Sequence, residues 1–224
     1  MFVGHYAASL AAKAIEPRAP LWTYVIAAQA IDIGWGALVM AGVEKVRIDP
    51  SLPGSALDLY HMPFTHSLLG AAAWGIAFGL IVRLICRSGA VAAWAALVVM
   101  SHWLLDLLVH RPDLTLSGHP PKLGFGLWNY PWIAMPLELA LVGAGFWLFL
   151  RNTRGPVGPP LILLAVMVLF QAINWFGPQP DGYSIAQPLT ALISYAILFA
   201  LARWVGTTRR HRRAAGLAMA SYRR

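Results

Sequence analysis

Residues 89–110 read Gly-Ala-Val-Ala-Ala-Trp-Ala-Ala-Leu-Val-Val-Met-Ser-His-Trp-Leu-Leu-Asp-Leu-Leu-Val-His, an apolar run in which Asp106 is the only residue of fixed charge. A helix crosses the hydrocarbon core with about 20 mostly apolar residues, so this stretch is long enough to span it. It also carries His102, Asp106 and His110 at i, i+4 and i+8, which share about an 80° arc of one helix face. An unpaired ionised group facing lipid costs at least ~2.5 kcal/mol on insertion scales. The stripe must therefore face something polar, and one spanning helix with such a stripe predicts a bundle around it.

The rest of the chain agrees. Of its 224 residues 58% are apolar or aromatic and only 12% are Asp, Glu, Lys or Arg, against about 25% in an ordinary soluble domain. That excludes a soluble globular fold and leaves no room for a separate soluble domain. Apolar stretches bounded by Pro, Gly and charge predict spans near 21–42, 66–86, 89–110, 127–150, 157–176 and 184–206. All six are expected to be helices, because backbone groups in lipid must be satisfied within their own segment. The expected fold class is all-α, a polytopic transmembrane bundle. Pro-rich breaks at Glu16 to Pro20, Asp49 to Gly54, His119 to Pro121, Gly155-Pro156 and Pro178 to Pro180 separate the spans. Trp22, Trp128, Trp132, Trp175 and Trp204 fall near span ends, as an aromatic belt requires. The Gly75-x-x-x-Gly79 spacing suits close helix contact. Residues 1–206 form one integral membrane domain on this reading, with the chemistry-bearing part in 1–140, and 207–224 form a basic cytoplasmic tail.

Net charge is +8, from 17 Lys and Arg against 9 Asp and Glu, and seven of the basic residues lie from Arg203 onward. This basicity reads as membrane orientation and contact with anionic lipid, not as a nucleic-acid groove. Alternate loops hold 13 Lys and Arg on one face and only Lys45, Arg47, Arg111 and Lys122 on the other, which puts both chain ends toward the cytoplasm, except that the first residues are expected to be embedded near the outer leaflet. No signal peptide is expected at the start, since no basic region precedes the apolar stretch and His5 interrupts it. Residues 1–15 are too short to cross alone and are expected to fold back on the first span, turning at Pro17 to Pro20. His5 and Asp32 are about equally far from that turn, roughly 20 Å along each helix, so the hairpin would bring them level.

Asp32, His102, Asp106 and Glu138 fall inside predicted spans. At 1.5 Å per residue, Asp32 lies about 15 Å, His102 about 12 Å and Glu138 about 16 Å from the outer span ends. His61 and His66 enter from the outer loop close to His110. Five of the seven His and three of the nine acids thus fall into one layer. Imidazole nitrogen with carboxylate oxygen suits a divalent metal, zinc ahead of manganese or iron, and the single Cys86 offers no thiolate site. A lone intramembrane His or Asp more often bridges helices; the convergence of eight such residues makes that reading weak for the set. His119 and Asp113 are weaker candidates in a Pro-rich outer loop, and Gln171, Asn174 and Gln187 read as interhelical hydrogen-bonding residues.

The run Gly4-His5, then Asp32, then His61-Met62-Pro63-Phe64-Thr65-His66-Ser67, then Ser101-His102-Trp103-Leu104-Leu105-Asp106 resembles the membrane-bound metal-dependent hydrolase family of bacterial inner membranes. That family runs Gly-His, Asp-x-Asp, His-Arg-x-x-Thr-His-Ser and His-x-x-x-Asp in the same order, and is distantly similar to zinc-dependent phospholipase C-like proteins. The resemblance covers about half the chain. It implies metal ligation by His5, Asp32, His66, His102 and Asp106, with His61 and His110 as further ligands or acid–base groups. Two positions depart from the pattern: Met62 stands where the family has Arg, a bidentate partner for phosphate, and Gly34 where it has a second Asp.

The function expected from these readings is metal-dependent hydrolysis of an ester or phosphoester on a lipid-like substrate. Asp106 or Glu138 would deprotonate the water, and His61 or His110 would protonate the leaving group. A metal or proton transporter is the competing expectation, because intramembrane acids and His also mark ion pathways. A third is a degenerate family member that keeps a structural metal. A transporter would distribute its ligands along a path, often in paired halves, whereas an enzyme gathers them at one depth.

Overall fold

The computed structural model describes residues 1–212. A 3-10 turn at Val3–His5 leads into α1 (Tyr6–Ile15) and the chain turns back into α2 (Leu21–Met40). A hairpin follows, β1 (Lys45–Ile48) with β2 (Leu57–His61), then α3 (Leu68–Cys86) and α4 (Gly89–Val109). A second small hairpin pairs β3 (Leu114–Thr115) with β4 (Lys122–Leu123), and a 3-10 turn at Leu127–Asn129 precedes α5 (Pro131–Asn152). After β5 (Thr153–Arg154) come α6 (Gly158–Phe176), α7 (Ala186–Thr208) and β6 (Arg210–His211), which closes an antiparallel pair with β5. Among the described residues six helices, α2 to α7, are long and apolar enough to cross a membrane. The protein is an all-α multi-pass membrane bundle with a half-length helix folded back at its start.

Local chemistry sets the ends. Ser67 and Ser88 lie just outside α3 and α4, and their hydroxyls accept from Gly70 N at 3.0 Å and Val91 N at 3.4 Å, satisfying amides that the helices leave open. The predicted start of the second span at residue 66 therefore moves to Leu68. Pro131 opens α5, where a missing N–H costs nothing, so this helix begins four residues later than predicted and runs on to Asn152.

Helix α2 sits at the centre, with 61% of its spanning window buried, while α3 turns Leu69, Ile76, Leu80 and Leu84 outward. Leucines more than half exposed along one helix face fit a hydrocarbon surround and would be unfavourable in water. Helices α3 and α4 meet through the predicted glycine pair. A Cβ on Gly75 would lie 3.2 Å from Ala96 O, and one on Gly79 3.2 Å from Ala92 O. Gly145 does the same for α5 against α1, where a Cβ would lie 2.8 Å from the Ala7 backbone.

The end of the bundle near the α1–α2 turn is tied shut. Arg209 donates to Thr153 Oγ1 (2.9 Å), Gly155 O (2.7 Å), Pro156 O (2.8 Å) and Thr153 O (3.0 Å), and His211 Nε2 lies 2.9 Å from Ala14 O. Helix α7 continues to Thr208, two residues past the expected span end at 206, and Arg209 and His211 are buried. The rest of the predicted tail, 213–224, lies outside the described residues. On the same face Lys13 Nζ donates to Pro17 O and Ala19 O, each at 2.7 Å. Burial lowers the Lys13 ammonium pKa to about 8, against the opposing pull of Glu16.

Candidate metal centre

The hairpin of α1 on α2 brings His5 to Asp32, as the equal distances from the turn require. His5, Asp32 and His102 each offer an atom within 4.8 Å of the others, and so do His66, His102 and Asp106. His5 arrives on the 3-10 turn before α1, Asp32 from α2, His66 from the segment before α3, and His102 and Asp106 from α4. His5 and His102 stack with centroids 3.7 Å apart and planes 8° from parallel.

Two carboxylates form the hub. Asp106 Oδ1 lies 2.7 Å from the Met1 amine, 3.1 Å from His5 Nε2 and 3.3 Å from His110 Nε2. Its Oδ2 lies 3.1 Å from His102 Nε2 and 3.6 Å from His66 Nε2. Asp32 Oδ1 lies 3.3 Å from His102 Nε2 and 3.5 Å from His66 Nε2, while Tyr195 of α7 donates to Asp32 Oδ2 at 3.2 Å.

The outward faces of the imidazoles settle their tautomers. His102 Nδ1 lies 2.8 Å from Ala28 O, a carbonyl that can only accept, so Nδ1 carries the proton. His66 Nδ1 lies 2.8 Å from Thr65 Oγ1, whose own proton goes to Glu44 Oε2 at 2.6 Å. The hydroxyl lone pair is left to accept from His66 Nδ1–H. Glu44 is held in turn by the amides of Phe64 (2.8 Å) and Thr65 (2.9 Å) on Oε1. In their neutral forms His66 and His102 therefore present Nε2 lone pairs to carboxylate oxygens 3.1–3.6 Å away. Acceptor faces acceptor. His102 Nε2 and both nitrogens of His5 have no hydrogen-bond partner although buried, an arrangement that is costly unless a cation lies between. Ligands at about 2.0–2.2 Å from one zinc ion sit roughly 3–4 Å from one another, which matches these separations. Hydrogen bonds from the far ring nitrogen to a carbonyl or a carboxylate-backed group are the usual support of metal-bound imidazoles.

His110 is different. Its Nδ1 meets Asp113 Oδ1 at 2.9 Å and its Nε2 meets Asp106 Oδ1 at 3.3 Å, so a carboxylate stands at each nitrogen. Glu138 on α5 is buried; its Oε1 accepts the amides of Phe2 and, at 3.1 Å, Gly4. His61 is not brought to the cluster: it is exposed at the end of β2, opposite Lys45, where the strand register shifts between Lys45 and Arg47. That bulge turns the first His of the motif away while the second points inward. His119 is also exposed. Gly34 faces α3, where a Cβ would lie 2.6 Å from the Trp74 ring, so an Asp at this position would meet indole, not the cluster. Met62 is buried in the apolar core.

Above the cluster lies a cavity of about 720 Å³, with Asp32, His66, Asp106, His110 and Glu138 on its floor. Its walls come from the outer hairpin, Trp128, and the facing ends of α6 and α7. Sequence reasoning missed Glu44, Thr65 and Tyr195. Thr65 stands inside the Thr-His-Ser run, but nothing in the spacing signals that Glu44, 21 residues earlier, is its partner.

No family model, no curated protein and no solved structure matches the chain.

Proposed function

We propose that the protein is a metal-dependent hydrolase of the bacterial inner membrane, with the α1–α2 turn and the chain after α7 on the cytoplasmic side and the first residues embedded at the cluster. The observation that carries this reading is the buried convergence of His66 and His102 Nε2 on the carboxylates of Asp32 and Asp106 at 3.1–3.6 Å. His5, Asp32, His66, His102 and Asp106 would hold a divalent ion, zinc first. Once bound, such an ion lowers the pKa of a water and polarises a carbonyl or phosphoryl oxygen.

The chain's own groups divide the remaining work. Both oxygens of Asp106 are crowded by partners, so the base role expected of Asp106 or Glu138 falls to Glu138, which lines the cavity. His110, between two carboxylates, is the imidazole best placed to carry a second proton and give it to the leaving oxygen. Burial at one level beneath a cavity lined from one end supports an enzyme over a permease, whose ligands would follow a path across the bundle.

The test is metal analysis of the detergent-purified protein after reconstitution with zinc, beside His66→Ala and Asp106→Asn. Stoichiometric metal in the wild type that falls at least tenfold in both variants is expected. A wild-type protein that retains no metal would overturn the reading, and normal elution in size-exclusion chromatography shows that a variant's loss is not misfolding.

A further inference from the structure

The cavity wall says what kind of molecule would reach the cluster. Among the described residues no Lys or Arg lines it. Arg111, which binds carbonyls of the hairpin that walls the cavity, is tied to Asn129 Oδ1 (2.9 Å), Ser55 O (3.0 Å), Leu57 O (3.4 Å) and Pro53 O. Lys122 is bound to Tyr60 O at 2.9 Å, and Arg47 to Asp58 at 2.9 Å. The cationic group that does line the cavity, the Met1 amine, is already paired with Asp106 Oδ1 at 2.7 Å; an anionic headgroup entering the metal-free cavity therefore meets Asp32 and Glu138 with no guanidinium or lysine to balance it, although such charge-assisted partners are the usual way to hold phosphate.

What the wall does offer is uncharged. Asn174, Thr190 and Ser194 supply amide and hydroxyl groups beside the aromatic faces of Trp128, Trp175 and Tyr195. Ile173 lines the same cavity and is 58% exposed, so the α6 wall continues onto the face turned toward hydrocarbon. An acyl chain can lie along that side while a polar headgroup stays within.

We propose that the cavity takes an amphiphile with an uncharged, hydroxylated headgroup, an acyl ester of a polyol or sugar, and discriminates against anionic phospholipid. This rests on the hydrolase reading for its chemistry but not for its selectivity. In the reaction the water oxygen bonds to the ester carbonyl carbon and the bond from that carbon to the alcohol oxygen breaks. One water proton passes to Glu138 and the alcohol oxygen takes a proton from His110. The products are a fatty acid and the free polyol, and proton return from Glu138 to His110 resets both groups.

The experiment uses the full-length protein in detergent with two probes that share one diazirine-bearing acyl chain, a monoacylglycerol and a phosphatidylglycerol. Adducts are mapped by mass spectrometry on the metal-free protein, and fatty acid release is measured separately after zinc loading. At least tenfold more adduct on Phe170, Ile173 and Ala191 with the glycerol probe is expected, and Thr190→Arg should narrow that ratio at least fivefold. Equal labelling, preference for phosphatidylglycerol, or no labelling of the cavity by either probe would overturn the proposal, and the wild-type comparison stands even if the variant fails to fold. Selective labelling without fatty acid release supports the cavity assignment and counts against the hydrolase reading alone. Release from both lipids at equal rates does the reverse.

Discussion

The two ends of the bundle handle buried polar atoms in opposite ways. At the end near the α1–α2 turn, Arg209 gives its N–H groups to Thr153, Gly155 and Pro156, and His211 meets Ala14 O. Every contact there joins a donor to an acceptor. At the other end His102 Nε2 and both nitrogens of His5 lie buried among carboxylates without a hydrogen-bond partner, beside an open cavity. Polar groups that hold a fold together satisfy one another, whereas groups set to receive something from outside are left incomplete. The difference separates a structural clasp from a receptive centre without appeal to residue type, since His occurs at both.

That contrast can be broken from either side. The largest effect is expected at Glu44, which touches no proposed ligand directly and acts as a positioning residue through Thr65 on His66. Glu44→Gln should weaken zinc affinity by about 10–100-fold, measured by competition with a chromophoric chelator. Thr65→Ser should retain most of the affinity, because the hydroxyl relay survives. An unchanged zinc affinity in Glu44→Gln would reduce the relay to a loop support.

At the closed end Arg209→Met should do the reverse. It should leave zinc affinity within about twofold and cost about 2 kcal/mol of stability by stranding buried carbonyls, read as a fall in Tm of the detergent-solubilised protein. Loss of zinc in that variant would show that the two ends are coupled, contrary to the separation drawn above.

The smallest effect is at Lys13. Its folded pKa of about 8 lies below the ordinary 10.5, so above pH 8 the unfolded chain binds more protons than the folded one and stability rises with pH. Between pH 7 and 9 the wild type should gain about 1 kcal/mol relative to Lys13→Met, because a tenfold change in proton concentration between the two pKa values is worth about 1.4 kcal/mol. Parallel Tm profiles for the two proteins would contradict this.

Much of this architecture is legible in one sequence because a bilayer leaves few options. Six apolar runs became six helices, with ends displaced by caps such as Ser67 and by Pro131. The meeting of His5 with Asp32 followed from counting residues on either side of Pro17 to Pro20. Less legible was anything that depends on loops crossing the outer face. Glu44 and Thr65 meet through a hairpin whose register contains a bulge, and the same bulge removes His61 from the cluster. Spacing along a helix carries geometry because the period is fixed at 3.6 residues; spacing across a bulged hairpin does not. Tyr195 escaped notice for another reason: one aromatic among many on an apolar helix gives no signal until α7 is docked beside α2.

The packing of α5 against the segment before α1 also makes the centre depend on a helix that supplies none of its five proposed ligands. Glu138 holds the amides of Phe2 and Gly4, and Gly145 admits the backbone of Ala7. Four of the five proposed ligands lie on α2, on α4 and on the segment between the hairpin and α3; His5, stacked on His102, comes from a turn whose flanking amides Glu138 of α5 holds. A chain that stops short of α5 would leave that turn without Glu138 and without the close approach at Gly145, and so would loosen the one ligand supplied from before α2.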